Sequence, residues 1–154
     1  SEMCIRDRVS HDAADPIGIN VFAGNDKATI VTDTGVISDD ILRRIDDTTL
    51  LVLEANYDPH MLRFGPYQPF LKQRVASDEG HLSNEMAAQA LLMMKRPDFM
   101  QVILAHRSEN NNNSVLVTQT IGKMLVDGGV RIGPEMKLQH GQPNEIVSIQ
   151  SVKR

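Results

Sequence analysis

The sequence predicts an α/β domain in which helices pack against a β-sheet. From Val9 onward, short apolar runs typical of strands alternate with amphipathic runs typical of helices, which is the pattern of a layered α/β domain. The chain has 154 residues, of which 41% are hydrophobic and 23% charged, enough for one ordinary core. Only 4% of the residues are aromatic and none is Trp, so this core must be aliphatic.

The first half of the pattern predicts a hairpin, a helix and a buried strand. Residues 17–22 and 28–31 are β-type runs separated by a turn signal at Gly24-Asn25-Asp26, which favours a hairpin. Ser38 is a suitable N-cap for a helix that runs through Ile45, because its hydroxyl can accept from an early amide. The following segment, residues 49–54, is apolar enough for a buried strand.

The second half predicts helices around one more buried strand. Proline punctuation leaves short helices near residues 61–64 and 69–76, and Ser83 is the natural N-cap of the clearest helix. A buried strand at residues 101–105 is followed by a helix at residues 115–126 that Gly128 and Gly129 close. The tail, residues 136–138 and 145–151, suggests a terminal β-hairpin.

The first eight residues, SEMCIRDR, match neither a strand nor a helix pattern. The stretch MCIRD resembles the translation of a transposon end used in preparing sequencing libraries, so we interpret residues 1–8 as a non-native segment. On this interpretation residues 9–154 are the C-terminal portion of a single domain whose upstream part is missing. The alternative is a natural N-terminus.

Charge and cysteine content restrict the function. The net charge of −4 argues against a broad phosphate-binding surface, so a nucleic acid must be held locally by metal and a small basic patch. The single cysteine, Cys4, excludes an internal disulfide framework and a Cys-rich zinc site, and it indicates a reducing compartment such as the cytoplasm. No apolar run approaches the ~20 residues of a membrane span, so we expect no membrane partner.

Three histidines and one aspartate stand where an apolar run stops and a loop begins. They are His11, Asp33, His81 and His106. Loops at strand ends collect binding chemistry in α/β sheets, and imidazole with carboxylate is a suitable ligand set for Zn²⁺ or Mn²⁺. The alternative is that the histidines only make structural hydrogen bonds and that Thr-Asp-Thr-Gly is only a turn. The other two histidines, His60 and His140, are expected at the surface.

Six short motifs of the sequence, taken in their order along the chain, resemble those of the metallo-β-lactamase-fold hydrolases. They are SHDAADP, TDTG, LEANYD, GPY, GHLSN and LAHRSENN, which begin at Ser10, Thr32, Leu53, Gly65, Gly80 and Leu104. Within that fold they are most similar to the WalJ/YycJ-type bacterial exonucleases, relatives of RNase Z and RNase J. The resemblance implies an αββα sandwich, incomplete at its N-terminal part, with two divalent metal ions (Zn or Mn) in the intact protein.

The resemblance also implies roles for single residues. His11 and His106 correspond to ligands of the two metals, and Asp33 to the carboxylate that bridges them. His81 corresponds to a histidine near the scissile phosphate, a proton donor or transition-state hydrogen-bond donor; its alternative role is to orient the cap of the following helix. Glu54 is expected to steady a ligand histidine from behind, or to be merely a strand-end acid.

Four further residues are candidates for binding substrate. They are Lys72, Arg74, Ser83 and Asn84, which lie before or directly after the His81 loop. For Lys72 and Arg74 a solvated helix face is an equally good explanation.

The sequence departs from the family in one large respect. The His-x-His-x-Asp-His motif is absent from the 154 residues, so each metal keeps only part of its ligand set. We therefore expect weak metal binding, no activity of this polypeptide alone, and an uncovered apolar sheet surface with an unpaired edge that favours aggregation. Arg107 is a smaller departure, because an apolar residue is expected after the last metal-binding histidine.

The leading hypothesis is a metal-dependent phosphodiesterase of nucleic acid, with DNA favoured, as the resemblance implies. A hydrolase of small esters, thioesters, lactones or cyclic phosphates on the same fold is the second, and the acidic net charge favours it. The third is a non-enzymatic binding module whose histidines only make hydrogen bonds. Fold alone does not separate them.

Overall fold

The computed structural model describes residues 2–8, 17–142 and 146–149. Its strands are β1 (Glu2–Arg8), β2 (Ile17–Ala23), β3 (Asp26–Val31), β4 (Leu50–Glu54), β5 (Met100–Ala105) and β6 (Met136–His140). Its helices are α1 (Asp39–Ile45), α2 (Pro59–Phe64), α3 (Pro69–Val75), α4 (Asn84–Met93) and α5 (Ser114–Asp127).

The six strands form one sheet in the order β1-β2-β3-β4-β5-β6. The pairs β1–β2 and β2–β3 are antiparallel, whereas β3–β4, β4–β5 and β5–β6 are parallel. The carboxyl ends of β3, β4 and β5 therefore meet at the same edge of the sheet. Helices or longer connections join these parallel strands, as parallel pairing requires.

One face of the sheet carries the core. Strand residues that pair across the sheet project from the same face, and Leu51 pairs with Val102 while Leu53 pairs with Leu104. All four are fully or almost fully buried, in one cluster with residues of α1, α4 and α5 such as Ile45. Burying these aliphatic side chains is the main stabilising contribution to the fold.

The opposite face is apolar but less covered. Val21 of β2 and Ile30 of β3 remain 40% and 41% exposed, and Ile30 pairs with Val52, which is half-buried. The expected uncovered apolar surface is therefore present on this face among the described residues.

Most of the predicted elements are confirmed. They are the hairpin of β2 and β3, the strands β4 and β5, and the five helices. Ser38 and Ser83 cap α1 and α4 by accepting from the amides of Ile41 and Met86. The helix near residues 61–64 begins two residues earlier, because Asp58 caps it and Pro59 fits its first position.

Two predictions of local structure are wrong. Residues 2–8 form a strand that pairs along the whole of β2, since β2 offers an unpaired edge that a weakly patterned segment can still occupy. Of the terminal hairpin, the first strand is confirmed as β6, which pairs in parallel with β5, whereas residues 146–149 of the second form no strand. Residues 143–145, 150 and 151 of the predicted hairpin lie outside the described residues. The non-native origin of residues 1–8 stays a prediction.

None of the helices in the described ranges has the length and apolar character needed to cross a bilayer.

Candidate metal centre

Three neighbouring parallel strands bring polar side chains to one edge of the sheet. Asp33 lies two residues after β3, Glu54 is the last residue of β4, and His106 directly follows β5. His81 joins them from the loop before α4, where its amide donates to the carbonyl of Val75. The parallel order of β3, β4 and β5 is therefore what assembles the cluster.

Glu54 holds both histidines. Its carboxylate is fully buried, and its Oε1 lies 2.8 Å from Nδ1 of His81 and 2.6 Å from Nδ1 of His106. Its Oε2 accepts from the backbone amides of Thr34 and Leu82, at 3.1 and 3.4 Å. An ionised carboxylate can only accept, so both rings must donate through Nδ1, and Nε2 of each neutral ring then carries a lone pair.

The electrostatics of the cluster favour this arrangement. Burial opposes ionisation of Glu54, but hydrogen bonds from His106, His81 and the Thr34 amide outweigh it, so the pKa of Glu54 lies below its ordinary value. The hydrogen bond to Glu54 raises the pKa of His106 above its ordinary value, against the opposing effect of burial.

Asp33 lies close enough to the two histidines to complete a candidate ligand set. One ligand atom from each of Asp33, His81 and His106 lies within 4.8 Å of the others, and Asp33 Oδ1 is 3.6 Å from Nε2 of His106. The His81 and His106 rings are tilted by 58° with centroids 5.1 Å apart. Two imidazoles and a carboxylate that converge in this way fit a divalent metal such as Zn²⁺.

The backbone at two of these residues is unusual. Asp33 has φ of 56° and His106 has φ of 52°, both in the left-handed region. Asp and His tolerate this region better than most non-glycine residues, but the conformation still costs about 1–3 kcal/mol. Strain of this kind persists where surrounding structure fixes it and clusters at functional sites, which agrees with the position of both residues in the ligand set.

A cavity of about 540 Å³ opens beside the cluster. Its lining includes Asp33, His81 and His106, together with two cationic side chains, Arg74 and Arg107. The volume lies in the range of small-molecule and cofactor sites, and the cations suit an anionic ligand.

Three asparagines support the site, and two of them, Asn56 and Asn112, were not singled out in the sequence. The side chain of Asn56 donates from Nδ2 to the carbonyl of His106 at 2.8 Å. The backbone carbonyl of Asn56 accepts from the amide of Ser108, so Asn56 fixes the loop after β5. Asn112 and Asn84 exchange two side-chain hydrogen bonds, at 2.8 and 3.1 Å, and Asn112 also donates to the Ala55 carbonyl. The cluster of asparagines at 110–113 was the available signal, because buried amides must be hydrogen-bonded.

The predicted substrate-binding residues fall into two groups. Ser83 and Asn84 are buried. The Ser83 hydroxyl caps α4, and the Asn84 side-chain amide pairs with that of Asn112. Arg74 lines the cavity, whereas Lys72 donates to the Arg63 carbonyl at 2.8 Å and so links α3 to α2. Contact with substrate remains a prediction for all four.

The other three histidines of the chain are His11, His60 and His140. His11, predicted as a metal ligand, lies outside the described residues. His60 is exposed, as expected, whereas His140 is half-buried and within 2.9 Å of the Thr118 hydroxyl through Nε2.

Comparison with solved structures defines the fold. The metallo-β-lactamase fold protein YhfI of Bacillus subtilis matches with a TM-score of 0.61 at 12% identity, over 89% of this chain and 46% of that one. Zn²⁺-bound PqqB of Methylobacterium extorquens matches with a TM-score of 0.58 at 16% identity, over 90% and 44%. The short form of human tRNase Z matches with a TM-score of 0.52 at 21% identity, over 70% and 36%. The chain has the metallo-β-lactamase fold, in the part of it that these residues span.

Curated relatives define the group within this fold. The chain is 35% identical to exodeoxyribonuclease YycJ of Bacillus anthracis over 144 residues, covering 94% of this chain and 54% of the relative. It is 33% identical to exodeoxyribonuclease WalJ of Streptococcus pneumoniae over 136 residues, covering 88% and 51%. These matches confirm the resemblance to the WalJ/YycJ group, and the chain spans about half the length of these relatives. No family model matches the chain.

Proposed function

We propose that the protein is a metal-dependent phosphodiesterase of nucleic acid, an exonuclease with DNA as its favoured substrate, acting in the cytoplasm. The observation that carries the proposal is the double hydrogen bond of Glu54, which leaves Nε2 of both neutral imidazoles without a proton. Nε2 of His106 lies 3.6 Å from Oδ1 of Asp33, so these two atoms can share a metal ion, whereas Nε2 of His81 is left for proton transfer. A carboxylate behind a ligand histidine fixes its tautomer and raises its basicity, as in many metalloenzymes. The exodeoxyribonuclease relatives support the choice of substrate.

Asp33 and His106 are proposed as ligands, with His11 as a third contributor and two divalent ions, Zn or Mn, in the intact protein. A divalent ion held here supplies Lewis acidity toward a phosphodiester and makes water nucleophilic at neutral pH. Arg74 and Arg107 on the cavity wall orient the anionic phosphate by charge. His81, the less exposed of the two rings, is proposed to donate a proton from Nε2 to the leaving oxygen while Glu54 stabilises the protonated ring.

This 154-residue chain alone is proposed to be inactive, because a partial ligand set should bind metal weakly. The chain covers 54% of the first relative, and the first family motif is absent from the sequence.

The test is hydrolysis of a 5′-labelled single strand, a duplex, an RNA and p-nitrophenyl thymidine monophosphate in Mn²⁺. It is run on this chain and on any longer product of its gene. We expect a form that hydrolyses DNA to shorten it from one end, and His106→Ala to abolish this hydrolysis, with Asp127→Asn, an exposed residue on α5, as the control. Hydrolysis of small esters or lactones with DNA left intact supports the small-molecule alternative instead.

A further inference from the structure

Helices α2 and α3 carry two exposed aromatic side chains. Phe64 is the last residue of α2 and Phe70 the second residue of α3, and they are 68% and 70% exposed. The chain has six Phe and Tyr residues in total, and these two lie six positions apart with Tyr67 between them. Phe70 precedes Arg74 by one helical turn, so it stands on the side of α3 from which Arg74 lines the cavity. Exposed aromatic rings grouped in this way indicate a contact surface.

The same surface is basic in an acidic protein. Residues 59–76 contain Arg63, Lys72 and Arg74 and no Asp or Glu, whereas the whole chain carries a net charge of −4. The Arg63 guanidinium lies 5.4 Å from the centroid of the Phe64 ring, so charge and aromatic face are presented together. Lys72 fixes the relative position of the two helices through its bond to the Arg63 carbonyl.

The surface continues into the cavity. Tyr67 and Arg74 line the cavity that also contains His81 and His106. Tyr67 is half-buried against Leu62 and Val75, so its ring is anchored in the small core beneath α2 and α3. Tyr67 and Arg74 therefore connect the exposed phenylalanines to the cavity that contains the candidate metal centre.

We propose that Arg63, Phe64, Tyr67, Phe70 and Arg74 form an aromatic platform that binds the bases of single-stranded DNA next to the scissile phosphate. The inference rests on the proposed function for its choice of ligand. Aromatic faces accept any base by stacking, and interleaved cations follow the phosphate backbone, which is how sequence-independent single-strand surfaces work. A duplex keeps its bases stacked inside and offers the Phe rings no partner, so the platform selects an unpaired end.

The absence of Trp from the chain allows a direct test by fluorescence. Phe64→Trp and Phe70→Trp each introduce a single indole, and Val126→Trp, at a position 59% exposed on α5, is the matched control. Each variant is titrated with a short oligothymidylate, and with a duplex, in EDTA so that no hydrolysis occurs. We expect the oligothymidylate to quench most of the emission of the two platform variants and to leave the Val126→Trp variant unchanged, and the duplex to quench none of them.

A charge variant separates stacking from general attraction. In Arg63→Gln the slope of log affinity for the oligothymidylate against log salt should fall by about 0.7, the value for one phosphate contact on a single strand. Arg43→Gln, an exposed arginine on α1, should leave the slope unchanged.

Three results overturn the platform: no quenching, equal quenching of all three indoles, or emission that changes with protein concentration alone, which identifies a second copy as the occupant. The proposed function fails independently, through hydrolysis. Quenching in Phe64→Trp and Phe70→Trp, with no phosphodiester cleavage by any form of the protein, supports the platform and contradicts the proposed nuclease activity. Cleavage of DNA without quenching supports the nuclease activity and contradicts the platform.

Discussion

Oε1 of Glu54 lies 2.6 Å from Nδ1 of His106, although 52 positions separate the two residues in the chain. The bond joins the ends of two adjacent parallel strands, β4 and β5, and it sets the direction in which the imidazole presents its other nitrogen. The candidate metal centre depends on this relationship more than on any other contact.

Glu54→Gln should weaken metal binding. The carboxamide keeps the shape but places an NH₂ group where the structure needs acceptors for two imidazoles and the amides of Thr34 and Leu82. Loss of such a supporting carboxylate typically costs about 10- to 100-fold in metal affinity. Calorimetric titration with Zn²⁺ measures the change, and Asp127→Asn, an exposed carboxylate on α5, is the control. Equal affinity of Glu54→Gln and the unmodified protein would show that the carboxylate has no such role.

Substitution of His81 should lower the rate of hydrolysis, whereas substitution of His106 should abolish metal binding. His106→Ala should lose metal, whereas His81→Ala should retain metal but lower the rate of hydrolysis, in any form of the protein that hydrolyses the substrate, by about 10²- to 10⁴-fold, as for a missing general acid. Metal content is measured by elemental analysis and rate on p-nitrophenyl thymidine monophosphate. Equal loss of metal from both variants identifies His81 as a ligand and contradicts its proposed role as proton donor.

Gly80→Ala should destabilise the loop that carries His81. A Cβ at this position would overlap the backbone carbonyl oxygens of Arg74 and Val75, which cannot move aside as a flexible side chain can. Overpacking of this kind costs about 1–3 kcal/mol. Gly122→Ala is the control, since its Cβ has only the Ile132 side chain at 3.8 Å and should raise the free energy of unfolding by about 0.5–1 kcal/mol. Urea denaturation compares them, and equal stability of the two variants contradicts the crowding at Gly80.

Val21→Thr combined with Ile30→Thr should reduce aggregation. Both side chains stand on the less covered face of the sheet, and Thr keeps the β-branched shape that strands favour. Light scattering on heating should show a later onset than in the unmodified chain, whereas Val126→Thr on α5 should not change it. An earlier onset, or a loss of folded protein, indicates that this face is needed for the core.

The local structure of this chain was largely predictable, but the construction of the site was not. The strands, helices and caps follow from apolar runs and from residues such as Ser38 and Ser83, whose chemistry acts over three or four positions. The double hydrogen bond of Glu54 depends on which strands lie side by side, and no local pattern encodes that. The left-handed backbone at Asp33 and His106 is likewise imposed by their surroundings.

The two failures stand at the two ends of the described chain. Residues 2–8 have little strand pattern of their own and pair with the edge of β2, so their conformation follows from the available partner. Residues 146–149, the described part of the segment at 145–151, form no strand although β6 is the last strand of the described sheet. Gln139 of β6 donates to the carbonyl of Ser148 at 3.4 Å, so the tail contacts β6 without forming a ladder.

Long-range ¹H–¹⁵N NMR of the histidine rings tests the metal centre most directly, because it reports which ring nitrogen carries the proton. In metal-free protein at a pH where the rings are neutral, we expect His81 and His106 to be protonated at Nδ1, and stoichiometric Zn²⁺ to shift the Nε2 signal of His106 while His60 and His140 stay unchanged. Protonation at Nε2 in both rings, or a Zn²⁺ shift confined to His60 and His140, would contradict the site.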